Sequence, residues 1–115
     1  MGVRIKGKRK IIVADRIYRW NVALDNDVFV YYCLNIVSED KRLILSCPLK
    51  TRISYIISKG MIFQNRKTNG CWNRYLLPFG IPEVVTPKNV SEIILWATQG
   101  EKAVEIKWDG KEVPV

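Results

Sequence analysis

Apolar and polar residues alternate in several segments of the first two-thirds of the chain, with the period of two that is typical of half-buried β-strands. The clearest run covers residues 16–24, where one face carries Tyr18, Trp20, Val22 and Leu24. The segment Asp25-Asn26-Asp27 follows, and these residue types favour a turn because they hydrogen-bond their own backbone. A second apolar run, 28–36, completes a predicted β-hairpin.

Further strands are predicted on both sides of this hairpin. Residues 3–6 and 9–14 flank a short turn at 6–8, and residues 43–47 alternate after the polar turn 38–41. Residues 61–64 and 71–77 flank a polar loop that ends in Asn69-Gly70, which is a strong turn signal. Residues 103–108 are predicted to form a closing strand, with a turn at Asp109-Gly110 leading into 111–114.

Residues 48–60 fit two structures. Leu49, Ile53, Ile56 and Ile57 form a helical stripe between Pro48 and Gly60, which stand where helices often begin and end. The alternation of Ile53, Tyr55 and Ile57 fits a strand, and β-branched residues lower helix propensity. Pro48 and Gly60, at the two ends of this segment, favour a helix, and a strand is the alternative.

One α-helix is predicted over residues 87–99. Thr86 can cap its N-terminus, Pro87 suits its first turn and Gly100 ends it. An apolar stripe follows the spacing i, i+3, i+4, i+7 through Val90, Ile93, Ile94 and Ala97. Because such a stripe has to be buried, the helix is expected to pack on the sheet.

The predicted fold is therefore α+β and forms a single domain over residues 1–115. An antiparallel sheet of five to seven strands, curled or barrel-like, packs against the helix 87–99, and residues 48–60 form either a second helix, which is slightly favoured, or a strand. The size and an apolar content of 48% suffice for a core without covalent staples.

The amino-acid composition limits the kinds of catalytic group and metal site that the protein can contain. Histidine is absent, which removes the commonest general base and metal ligand. Cys33, Cys47 and Cys71 have no C-x-x-C spacing, so we expect three buried thiols rather than a disulfide or metal site. The basic N-terminal residues precede a very short apolar stretch, 11–14, and no run is long enough to span a membrane. We expect a cytoplasmic protein that is not an enzyme and binds no cofactor, metal or membrane.

Charge is the feature that bears on function. Residues 1–74 carry 15 Lys and Arg against 5 Asp and Glu, whereas residues 75–115 carry 4 against 6. A field of one sign over most of a small domain attracts polyanions or acidic surfaces.

The densest run of positive charge lies at the N-terminus. Arg4, Lys6, Lys8 and Lys10 recur at every second position, so in a strand they would line one face at intervals of about 6.7 Å. Such a row suits a phosphate backbone, although lysines also protect edge strands from aggregation. The candidate nucleic-acid-binding residues are Arg4, Lys6, Lys8, Arg9, Lys10, Arg66, Lys67, Arg74 and Trp72, the last as a stacking group.

The sequence thus predicts a small basic binding module. The more specific of two predictions for its partner is a nucleic acid, either single-stranded or structured. The broader alternative is an accessory protein that recognises an acidic protein or forms a homo-oligomer through an edge strand.

Overall fold

The fold was analysed in a computed structural model that describes residues 8–25, 31–49, 54–64, 66–68, 73–82, 84–100 and 103–106. One α-helix and nine strands are present in these ranges. The strands are β1 (Arg9–Val13), β2 (Arg16–Asp25), β3 (Tyr31–Ser38), β4 (Ile44–Pro48), β5 (Tyr55–Ser58), β6 (Ile62–Phe63), β7 (Arg66–Lys67), β8 (Asn73–Leu76) and β9 (Glu105–Ile106). The helix is α1 (Pro87–Gln99).

Seven strands form one antiparallel sheet in the order β1-β2-β3-β4-β5-β8-β9. The prediction of an α+β fold with an antiparallel sheet is confirmed. The expectation of a barrel is wrong, because β1 and β9 lie at opposite edges and do not pair with each other. The sheet is open, so the outer edge of β1 pairs with no other described strand.

The helix predicted near 48–60 is also wrong for the part of that segment that the structure describes. Residues 55–58 form β5, which lies between β4 and β8 and pairs with both. A strand in that position satisfies its backbone groups on both sides, and Ile56 is completely buried. Tertiary pairing therefore outweighs the helix-like Pro and Gly at the ends of the segment.

The strands predicted at 61–64 and 71–77 do not pair with each other. β6 pairs with β7 in a separate two-stranded sheet, and β8 joins the main sheet between β5 and β9. Gln64, which turns the chain from β6 to β7, has a φ of 49° and is buried. Its side-chain amide donates to the carbonyl of Trp96 at 3.1 Å and accepts from the backbone N–H of Ala103 at 3.2 Å. Gln64 thus ties this turn to the end of α1.

A two-residue turn at Ala14-Asp15 connects β1 to β2 and sets their register. Both residues have positive φ values, 50° and 62°, as type I′ hairpin turns require. The register pairs Val13 with Arg16 and, farther along, Lys10 with Arg19. Directly paired residues lie on the same face, so Lys10 and Arg19 are neighbours.

The helix predicted at 87–99 is confirmed, including its ends. Thr86 and Asn89 form a capping box in which Asn89 Oδ1 accepts from the Thr86 backbone N–H at 2.9 Å. The Gly100 N–H closes the last turn by donating to the Trp96 carbonyl. The predicted stripe is buried, and each of its larger side chains contributes roughly 1.5–3 kcal/mol.

The core lies between α1 and one face of the main sheet, called here the inner face. This face carries Tyr18 and Trp20 of β2, together with Leu34, Ile36, Leu45, Cys47 and Ile56. Trp96 of α1 meets the edge of Phe63, which stacks on Tyr75 with ring centroids 4.2 Å apart. The opposite face is called the outer face.

Several predictions fall outside the described residues. They are the strand at 3–6, the turns at 26–27, 69–70 and 109–110, the strand at 111–114 and Cys71. Cys33 and Cys47 are buried free thiols, and burial raises the pKa of Cys47, which keeps it protonated. Within the described ranges, no helix is both long and apolar enough to cross a membrane.

Candidate functional site

The two described members of the predicted basic row, Lys8 and Lys10, lie on one face, and the neighbouring candidate Arg9 lies on the other. Strand alternation places Lys8 and Lys10 on the outer face, and Arg9 on the inner face. The guanidinium of Arg9 lies 5.5 Å from the centre of the Trp20 ring, an arrangement that favours a cation–π contact. Arg9 therefore shields the margin of the core, and the structure does not bring it together with Lys10.

Lys10 and Arg19 place two positive charges side by side on the outer face. They are directly paired across β1 and β2, and Lys10 is exposed. Arg19 Nε is buried without a hydrogen-bond partner, because its nearest carboxylate oxygen, Glu39 Oε2, is 3.6 Å away. Like charges in direct cross-strand pairs repel each other. An added anion would relieve that repulsion.

A row of polar side chains continues from this pair across the outer face. Asn35 Nδ2 donates to Asn21 Oδ1 at 3.3 Å, and Ser46 Oγ donates to Asn35 Oδ1 at 3.3 Å. The centre of the face is closed to solvent, since Val37 is 1% exposed and Ser46 is 4% exposed. The side of this face formed by β1 and β2 carries the exposed Lys10, and we call it the Lys8–Lys10–Arg19 surface.

The other predicted residues do not converge on this surface. Arg74 lies on the outer face of β8, four strand steps from β2 or roughly 19 Å across a flat sheet. Its guanidinium lies 5.9 Å from the centre of the Tyr55 ring. Lys67 is exposed on β7 in the separate small sheet. The structure describes the backbone of Arg66 but not its side chain, and Arg4, Lys6 and Trp72 lie outside the described residues.

A cleft of about 650 Å³ opens at the end of the sheet where the two hairpin turns lie. One wall is formed by the β1–β2 and β3–β4 turns, and the other by β6 and the C-terminal end of α1. The lining includes Arg16, Arg42, Asp15, Asp40, Tyr18 and Phe63.

Asp40 organises the β3–β4 turn at the rim of this cleft. Its Oδ1 accepts from Ser38 Oγ at 2.6 Å and from the Arg42 backbone N–H at 3.1 Å. These hydrogen bonds, with the nearby charges of Arg42 and Arg16, lower the pKa of Asp40. Burial, despite the opposing effect of Arg16, raises the pKa of Tyr18, so this phenol stays protonated.

The lowered pKa of Asp40 predicts a pH dependence of stability. A carboxylate with a depressed folded-state pKa stabilises the protein above about pH 5, and this contribution is lost as the pH falls through that pKa. We expect Asp40→Asn to lower the free energy of unfolding at neutral pH and to match the parent protein in strong acid. Urea unfolding at a series of pH values measures this, and parallel curves for the two proteins would contradict it.

Sequence reasoning missed Arg19 as a partner of Lys10, and it missed the cleft. The signal for the first was the two-residue turn at Ala14-Asp15, from which the pairing of Lys10 with Arg19 follows by counting. No local signal marks the cleft, because its walls come from four separate segments of the chain.

The described residues contain no group of three Cys, Asp or Glu side chains placed to hold a metal ion. What the two sites offer is guanidinium, ammonium, carboxylate and amide groups, which bind and orient charged ligands. No known protein family, no curated protein and no solved structure matches the chain.

Proposed function

We propose that this protein is a small, non-enzymatic binding module that holds a single-stranded nucleic acid by its phosphates. The observation that carries the proposal is the exposed Lys10 directly beside Arg19, which places two positive charges together on the outer face. A phosphate oxygen is a suitable acceptor for this guanidinium and a counter-charge for both residues.

The spacing of the surface supports an extended ligand. Lys8, which directly precedes β1, and Lys10 are two residues apart, or about 6.7 Å in extended backbone. Arg19 lies across from Lys10 on β2. Arg19 is ion-paired with Glu39, whereas no described carboxylate lies within 4.0 Å of Lys10. Arg74 of β8 and Tyr55 of β5 provide a guanidinium and an aromatic ring on the same outer face, far from the edge formed by β1.

Binding should depend steeply on salt, because each phosphate contact releases a counterion. For a single strand the slope of log affinity against log salt is about −0.7 for each contact, so contacts to three cations give about −2. We expect Lys10→Gln to make this slope less steep by about 0.7. Fluorescence anisotropy of a labelled oligothymidylate, titrated at several salt concentrations, measures the affinity.

Lys88→Gln is the matched control, since Lys88 is also exposed but lies on the first turn of α1. It should leave the slope unchanged. Absence of binding at about 50 mM salt, where phosphate contacts are strong, would refute the proposal. Equal effects of Lys10→Gln and Lys88→Gln would place the contacts elsewhere.

The open edge of β1 favours a second candidate function, the recognition of an acidic protein segment or of a second copy. The outer edge of β1 pairs with no other described strand, and Ile12 is 61% exposed there. An extended acidic segment could add to this edge through backbone hydrogen bonds while its carboxylates meet Lys8 and Lys10. If a glutamate-rich peptide binds the protein and the oligonucleotide does not, the result supports this second function. A doubled mass in light scattering would select self-association.

A further inference from the structure

The cleft at the turn end of the sheet carries charges of both signs at its rim. Arg16 and Arg42 are exposed, and no carboxylate oxygen lies within 4.0 Å of either guanidinium among the described residues. Asp15 and Asp40 are also exposed there, while Glu39 is already paired with Arg19. With exposed Lys41 between Asp40 and Arg42, three cations and two carboxylates remain at the rim, so a ligand with groups of both signs meets counter-charges there.

The C-terminal end of α1 adds partial negative charge to the cleft wall that faces the two hairpin turns. Thr98 and Gln99 line the cleft, and the last turn of the helix contains no basic residue. The carbonyls at a helix C-terminus carry partial negative charge and favour a cation. A positively charged ligand group thus meets a complementary surface at this wall, and a negatively charged group meets one at Arg16 and Arg42.

The floor between these two walls is apolar. Leu43, Phe63 and the ring of Tyr18 are buried side chains that line the cleft. A volume of about 650 Å³ lies within the range of small-molecule sites, about 300–1,000 Å³.

Backbone strain is concentrated around the same cleft. The described residues other than glycine with positive φ are Ala14, Asp15, Lys41 and Gln64. Three of them line the cleft, and Lys41 lies between the lining residues Asp40 and Arg42. At Ala14 and Asp15 these angles belong to the type I′ turn between β1 and β2.

We propose that this cleft binds a small zwitterion with an apolar body, of the class of free amino acids with aromatic or branched side chains. The carboxylate lies at Arg16 and Arg42, and the ammonium lies toward the end of α1 on the opposite wall. The side chain covers Phe63 and Leu43. This site is separate from the Lys8–Lys10–Arg19 surface and does not depend on the function proposed for it.

The test uses L-phenylalanine and two analogues that each lack one charge. These are 3-phenylpropionate, without the ammonium, and phenethylamine, without the carboxylate. In ¹H–¹⁵N spectra of the full chain we expect L-phenylalanine to shift the amides of Arg16, Arg42 and Thr98, with a dissociation constant of order 1 mM. Each analogue should bind at least about tenfold more weakly, because each loses a hydrogen bond between charged groups.

Variants identify the site. Arg42→Gln should weaken L-phenylalanine binding by about tenfold, whereas Lys88→Gln, which changes an exposed cation outside the cleft, should not. Lys10→Gln should also leave it unchanged, which separates this site from the nucleic-acid surface. Binding of 3-phenylpropionate as tight as that of L-phenylalanine would overturn the proposal in favour of a simple anion site. An absence of shifts at saturating L-phenylalanine would overturn it outright.

Discussion

Gly60→Ala should destabilise the protein by about 3 kcal/mol or more, the largest effect expected from a single methyl group in the described structure. A Cβ at this position would lie 2.3 Å from the Arg42 carbonyl oxygen and 2.8 Å from the Ile44 backbone nitrogen. Both contacts are to backbone atoms, so no side chain can rotate away to make room. The chain after β5 would have to separate from the start of β4.

That separation would break several hydrogen bonds together. The Arg42 carbonyl accepts from the backbone N–H groups of Met61 and Ile62, and the Gly60 carbonyl accepts from Thr68 Oγ1 at 2.7 Å. Because domains are stable by only about 5–15 kcal/mol, we expect a large fall in the urea midpoint.

Gly80→Ala is the matched control, since nothing lies within 4 Å of the Cβ it would add. It should be neutral or slightly stabilising, by at most about 1 kcal/mol. Urea unfolding of the two variants beside the parent protein measures the difference. A loss below about 1 kcal/mol for Gly60→Ala would contradict the close approach of these backbones.

Ile94→Ala should cost about 3 kcal/mol, within the range for large-to-small changes at fully buried aliphatic positions. Ile94 is 0% exposed in the centre of the α1 stripe and belongs to the same core as Leu34 and Ile36 of β3. Truncation removes apolar contacts and leaves a cavity, because a packed core relaxes incompletely.

The neighbouring residue provides the control. Leu95 is 39% exposed, so Leu95→Ala should cost less than about 1 kcal/mol while keeping a good helix former in place. Thermal or urea unfolding gives both values. Similar losses at the two positions would mean that α1 does not present the Ile94 side to the sheet.

Local sequence signals predicted the elements whose boundaries are set by neighbouring residues. Thr86 and Gly100 bound α1 through backbone hydrogen bonds within one turn, so the helix could be predicted without its partners. The alternation in β2 likewise placed Tyr18 and Trp20 in the core, because a strand with one buried face has a period of two.

The segment 48–60 shows where such reasoning fails. Its local pattern fits a helix or a strand, and the choice depends on β4 and β8, which pair with β5 from both sides. β8 is separated from β5 by the hairpin of β6 and β7, so its position beside β5 cannot be found from adjacent residues. The openness of the sheet is likewise a property of all seven strands together.

The candidate site was likewise predicted in part from the sequence and decided in part by the tertiary structure. The positive charge of the chain and the alternation of Lys8 and Lys10 follow from the sequence, because charge and strand period are properties of residue type and spacing. Cross-strand register decided that Arg19, and not Arg9, stands beside Lys10, and that Arg74 lies far from both. The cleft was decided by tertiary structure altogether, since it exists where two hairpin turns, β6 and the end of α1 meet, and no segment of the chain contains that meeting point by itself.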